Sequence, residues 1–168
     1  MKTKLLYSLF SVVVLLSGSA FAQNEVEIER HSLAGISKFG ITVNIEKPIG
    51  LKEPSLNPAK IQKQIGKKFQ TLSAFILNLE ELKESFYNPF FFVHVNIMQA
   101  EGGLYPFSIE MRFYQPIKLS LKNDMESMAS TWHSGYVGMV SFDRTDEIAG
   151  VVIEATKEFK DEFERLNR

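Results

Sequence analysis

The sequence predicts an α+β domain, a two-layer α/β sandwich in which one mixed, mostly antiparallel sheet of four to five strands carries two main helices on one face. Three observations predict it. Apolar and polar residues alternate, at the period of a half-buried strand, across 39–45, 91–97 and 105–113. Apolar residues recur every three or four positions across 61–72 and 148–166, the stripe of a helix packed on one side. These patterns follow in the order strand, helix, strand, short helix, hairpin, strand, helix, and one sheet covered on one face satisfies every stripe.

In the first strand Phe39, Ile41, Val43 and Ile45 point one way, and Lys38, Gly40, Thr42, Asn44 and Glu46 the other. Pro48, Gly50, Pro54 and Pro58 then break the chain into a loop. Asn57-Pro58 is a helix start, with Asn as N-cap and proline at the first helical position. Ile61, Ile65, Phe69 and Leu72 form the stripe of that helix, opposite Lys60, Lys63 and Lys67. Phe75-Ile76-Leu77 reads as a short buried strand and Leu79 to Ser85 as a brief helical turn, ended by Asn88-Pro89. Pro116 closes the hairpin that follows, residues 120–130 read as a polar loop, and Trp132 to Phe142 as a further strand. In the last helix, capped by Asp143 or Thr145, the inward residues are Ile148, Val151, Val152, Ala155, Phe159, Phe163 and Leu166.

The hairpin is specified closely enough to fix its register. Phe91, Val93, Val95 and Ile97 must share a face with Tyr105, Phe107, Ile109, Met111 and Phe113. An even-numbered loop would mix apolar and polar faces, because side chains alternate with a period of two. Glu101-Gly102-Gly103 as a three-residue loop, with glycine in the left-handed region, pairs Ala100 with Leu104. Asn96 then lies opposite Ser108, His94 opposite Glu110, Phe92 opposite Arg112 and Phe90 opposite Tyr114. A five-residue loop would instead put His94 opposite Ser108.

With both long helices on one side, the other face of the sheet stands open. Its polar half is His94, Glu110, Asn96 and Ser108; its aromatic half is Phe90, Phe92 and Tyr114, with Arg112 between. Exposed aromatics beside arginine are contact residues, so the expected binding residues are Phe90, Phe92, His94, Glu110, Arg112, Tyr114 and Trp132. The opposing reading is that a loop, the N-terminal arm or residues 120–130 covers the aromatics, and that the cross-strand pairs serve the sheet alone.

Little in the chain points to catalysis. His94, Glu110 and His133 would meet if the last strand lay beside the hairpin, but they lack any recognised metal-ligand spacing, so no metal or other cofactor is expected. Ser134 in Thr131-Trp132-His133-Ser134-Gly135 has no nucleophile elbow. Gly102-Gly103 sits at a hairpin tip and no helix start follows to cradle phosphate. The expectation is a non-catalytic domain that binds another envelope or secreted component. A metal-dependent or hydrolytic enzyme built on His94, Glu110 and His133, and a carrier of a small apolar ligand, are the alternatives.

Composition and the N-terminus place it. Lys2 and Lys4, an apolar run from Leu5 to Leu16, and Ala20 and Ala22 at peptidase spacing form a secretory signal cleaved after Ala22. The run is shorter than the roughly 20 residues that span a bilayer. Residues 1–22 are thus an expected signal, 23–32 a flexible arm and 33–168 one α+β domain, periplasmic or secreted, with no later transmembrane anchor. The absence of cysteine excludes disulfides, thiolate chemistry and a lipidated cysteine anchor. Beyond residue 22, 17 Lys and Arg face 20 Asp and Glu, a balance that argues against a nucleic-acid partner.

Three segments carry a resemblance: Gly40-Ile41-Thr42-Val43-Asn44-Ile45-Glu46, Pro89-Phe90-Phe91-Phe92-Val93-His94-Val95-Asn96, and Gln115-Pro116-Ile117-Lys118-Leu119 followed by Thr131-Trp132-His133-Ser134-Gly135. Together they resemble an uncharacterised family of small exported bacterial proteins, which implies no activity and no site residues. The layout is also similar to the amino-terminal domain of the translocation protein TolB and to CsgG-like envelope domains, an analogy of architecture alone.

Overall fold

A computed structural model describes residues 31–120 and 122–168, and the side chains of 31–120 and 125–168. The expected signal and the expected arm through residue 30 lie outside the described residues. Strand β1 (Lys38–Glu46) buries Phe39 and Ile41. Helix α1 (Pro58–Phe69) begins where the sequence places it, with the Asn57 side chain accepting from the Lys60 amide at 3.1 Å, and it buries Ile61, Ile65 and Phe69. Strand β2 (Phe75–Leu77) and helix α2 (Leu79–Lys83) follow; β2 is not the buried strand its apolar run predicts, because it lies at the sheet edge with Phe75 61% exposed. Asn78 and Glu81 close a reciprocal capping box at the start of α2.

Strands β3 (Phe90–Ile97), β4 (Leu104–Leu119) and β5 (Lys122–Ser141) complete a five-stranded sheet ordered β2-β1-β3-β4-β5. β1 runs parallel to both β2 and β3, while β3-β4 and β4-β5 are antiparallel. The sheet is thus mixed, and the fold class is the α+β sandwich that the patterns predict. The β3-β4 register is the predicted one, with His94 opposite Glu110 and Phe92 opposite Arg112. The Glu101–Gly103 turn sets it, Gly102 and Gly103 both taking φ of +72° and the Ala100 amide donating to Leu104 O at 2.8 Å.

Helix α3 (Glu147–Leu166) packs beside α1 on one face of the sheet. Phe159 is the meeting point of the core. Its ring centroid lies 4.3 Å from Phe91, 5.1 Å from Trp132, 5.5 Å from Phe69 and from Phe113, and 5.8 Å from Phe39. One side chain of α3 therefore touches α1 and four strands of the sheet.

Four further expectations need correction. Residues 122–130 are not a loop: β4 continues through Pro116 to Leu119, and with β5 it forms a two-stranded ribbon beyond the end of β3. Trp132 does not belong to the open face. It pairs with Phe113, whose side chain points to the helices, and it is 3% exposed. Neither Asp143 nor Thr145 caps α3; the N-cap is Asp146, with no side-chain capping bond, after a 3₁₀ turn at Phe142–Arg144. Val151 is exposed, because the buried stripe runs through Ile148, Ala149, Val152, Ala155, Thr156, Phe159 and Phe163.

Candidate functional site

The alternation of β3 decides which side chains stand on the face away from α1 and α3. Phe91, Val93, Val95 and Ile97 are buried, so Phe90, Phe92, His94 and Asn96 point outward, each half-buried. Register carries the same face across to Glu110, Arg112 and Tyr114 on β4, and to Thr42 and Asn44 on β1. Six of the seven expected binding residues thus share one surface, and Trp132 is the exception.

The aromatic half is ordered. Phe90 and Tyr114 stack with centroids 5.0 Å apart and planes 19° from parallel. Phe92 meets Tyr114 edge-on at 6.4 Å and stacks against His94 at 6.1 Å. Arg112 donates to Glu110 Oε2 at 2.9 Å and to the Tyr114 hydroxyl at 3.4 Å. Tyr114, chiefly through its hydrogen bond, raises the guanidinium pKa further above its ordinary value, and the charge of Glu110 adds to this. Because both sides of the Arg112–Glu110 pair are about half exposed, it orients the arginine more than it stabilises the fold.

Glu110 and His94 do not pair, although they lie opposite each other. Glu110 turns along its own strand to Arg112, and His94 turns to β1, where Asn44 Nδ2 donates to its Nδ1 at 3.1 Å. His133 is also on this face, opposite Arg112. No group of three or more side chains able to hold a metal assembles among the described residues. Ser134 points to the packed side, and its Oγ donates to Glu158 Oε2 at 2.7 Å. Trp132 is held similarly, its Nε1 donating to Glu162 Oε2 at 2.9 Å.

The open face is not bare over its whole width. A side-chain carbon added at Gly40 would lie 2.6 Å from Leu82 Cδ2, so α2 rests on this face at that point, against the β1 backbone. The segment after α2 is fastened by Asn88, whose Nδ2 donates to the carbonyls of Glu81 (2.9 Å) and Leu82 (3.5 Å). Between this segment and the sheet lies a cleft of about 500 Å³ lined by Thr42, Leu82, Lys83, Ser85, Phe86, Asn88, Phe90, Tyr114 and Met128. Met128 comes from the β4-β5 ribbon, where it pairs with Pro116. Of the segments expected to cover the aromatics, 120–130 thus reaches this wall through Met128, as a strand rather than a loop.

Sequence reasoning missed several members of the surface. Phe86 is 79% exposed, Val137 88% and Met139 61%. Val137 and Met139 face outward opposite Ser108 and Pro106. The signal for α2 was present in Gly40, a glycine amid bulky strand residues on the outward side, which marks a close approach.

No protein-family profile and no curated protein matches the chain. Among solved structures, a hypothetical protein from Chlamydia trachomatis is similar over 79% of this chain and 96% of its own, at 8% identity and a TM-score of 0.40. The resemblance to exported bacterial proteins and to the TolB and CsgG-like domains gains no support from these comparisons. Among the described residues no helix is long and apolar enough to cross a membrane.

Proposed function

We propose that this chain is a non-catalytic exported domain that binds another envelope or secreted component through its open sheet face. The observation that carries the reading is the stacked set Phe90, Phe92 and Tyr114, half-exposed and aligned with Arg112 on one rigid sheet. Exposed Phe86, Val137 and Met139 extend the apolar area to either side. Such an area, with an arginine oriented at its centre, has the composition of an interface core. The polar side chains of this face are committed to one another, Glu110 to Arg112 and Asn44 to His94, which favours recognition over proton transfer.

Site-specific photo-crosslinking in the producing cell tests this. A benzophenone side chain replacing Phe92 should form one dominant crosslinked species, and Arg112→Glu should suppress it. The same group replacing Val151, exposed on α3, should form none. Crosslinking from position 151 but not from 92 would overturn the reading.

A further inference from the structure

The cleft beside α2 has features that recognition of a protein surface does not use. Its volume, about 500 Å³, suits a small organic molecule. The stacked rings of Phe90 and Tyr114 supply a flat apolar floor, and Phe86 an outer wall. One charged group of the lining lacks a partner among the described residues. Lys83 makes no ion pair and no side-chain hydrogen bond, and it is the one charged residue of the lining. A cation beside an apolar floor, with no carboxylate of the lining to balance it, favours an anionic ligand with an apolar body.

We propose that this cleft binds a small organic carboxylate with an aromatic or aliphatic body. The body lies on Phe90 and Tyr114, and the carboxylate pairs with Lys83. The neighbouring acids of α2 do not compete. Glu81 is held in the capping box at the far end of the helix, and Glu80 and Glu84 are outside the lining. A cationic ligand would instead meet Lys83 with no lining carboxylate to balance it. The inference does not rest on the wider face meeting a protein partner.

Amide NMR of the purified protein titrated with 1-naphthylacetate, and in parallel with the neutral 1-naphthylacetamide, tests it. The expected result is saturable shifts at Thr42, Lys83, Phe90 and Tyr114, with the acid bound about tenfold tighter than the amide. Lys83→Met should abolish that preference while leaving the affinity for the amide unchanged. Equal affinity for acid and amide, shifts confined to other residues, or no saturable shift up to the millimolar range (on the order of −4 kcal/mol) would each overturn the proposal.

Discussion

Replacing Phe159 with alanine should cost more stability than any comparable change on the surface. The ring is fully buried against Phe39, Phe69, Phe91, Phe113, Trp132 and Phe163, contributed by β1, α1, β3, β4, β5 and its own helix. Truncating a core phenylalanine costs about 3–5 kcal/mol, rising with the cavity that remains. The upper half of that range applies, because a hydrogen-bonded sheet on one side and α1 on the other leave the site little room to collapse. Small domains have about 5–15 kcal/mol in total, so the loss is a large share of it. Phe163→Ala, whose ring meets Phe39 and Phe159, should cost nearer 3 kcal/mol. Phe86→Ala, 79% exposed, should stay within about 0.5 kcal/mol. Urea titration followed by fluorescence of Trp132, the chain's one tryptophan, measures all three, provided the slope with denaturant is unchanged. A Phe159→Ala loss below about 1 kcal/mol would refute the reasoning that one aromatic hub joins both long helices to the same sheet face.

Trp132→Phe keeps the ring packing but loses the Nε1 donor to Glu162, so thermal unfolding followed by circular dichroism should show a loss of about 1–3 kcal/mol. That variant should leave the crosslink from position 92 intact. Gly40→Ala forces Leu82 away from β1 and should cost about 1–3 kcal/mol, whereas adding Leu82→Ala should make the pair cost less than the sum of the two changes. For Tyr136, the hydrogen bond to Glu158 is the main cause of a raised phenol pKa, with burial adding to it. The folded state therefore holds that proton more tightly, and the resulting stability is complete below the ordinary tyrosine pKa near 10 and lost as pH rises through the folded value. Absorbance at 295 nm should show one tyrosine titrating late, and Tyr136→Phe should remove that step.

Much of the architecture was legible because it buries a face. The odd loop Glu101-Gly102-Gly103 and the alternation on either side set the β3-β4 register residue by residue, and Asn57-Pro58 marked the start of α1. The ribbon of β4 and β5 beyond Tyr114 was not legible for the opposite reason. It extends past the sheet, so residues such as Lys118 and Glu126 pair across it without an apolar face to betray a strand. Trp132 was misplaced because Ser134 and Tyr136, the next residues of β5 on its face, supply no apolar alternation to mark that face as the packed one. Farther along β5 hydrophobicity misleads as well. Val137 and Met139 point outward, while Gly138 points inward beneath the Phe107 ring, whose Cζ would lie 2.4 Å from an added side-chain carbon. In the site, backbone parity supplied Phe90, Phe92, His94, Glu110, Arg112 and Tyr114. The cleft was beyond reach, since α2 joins the sheet through a contact that sequence spacing does not encode.

The claim beneath all of this is that both long helices shield one side of the sheet and leave the aromatic side facing water. Broadening of side-chain proton signals by a soluble gadolinium chelate reads that directly. The methyl groups of Val137 and Met139 should broaden strongly, the Phe92 ring partially, and the Trp132 indole and Phe159 ring hardly at all. A broadened Trp132 indole beside sharp Val137 and Phe92 signals would contradict the arrangement.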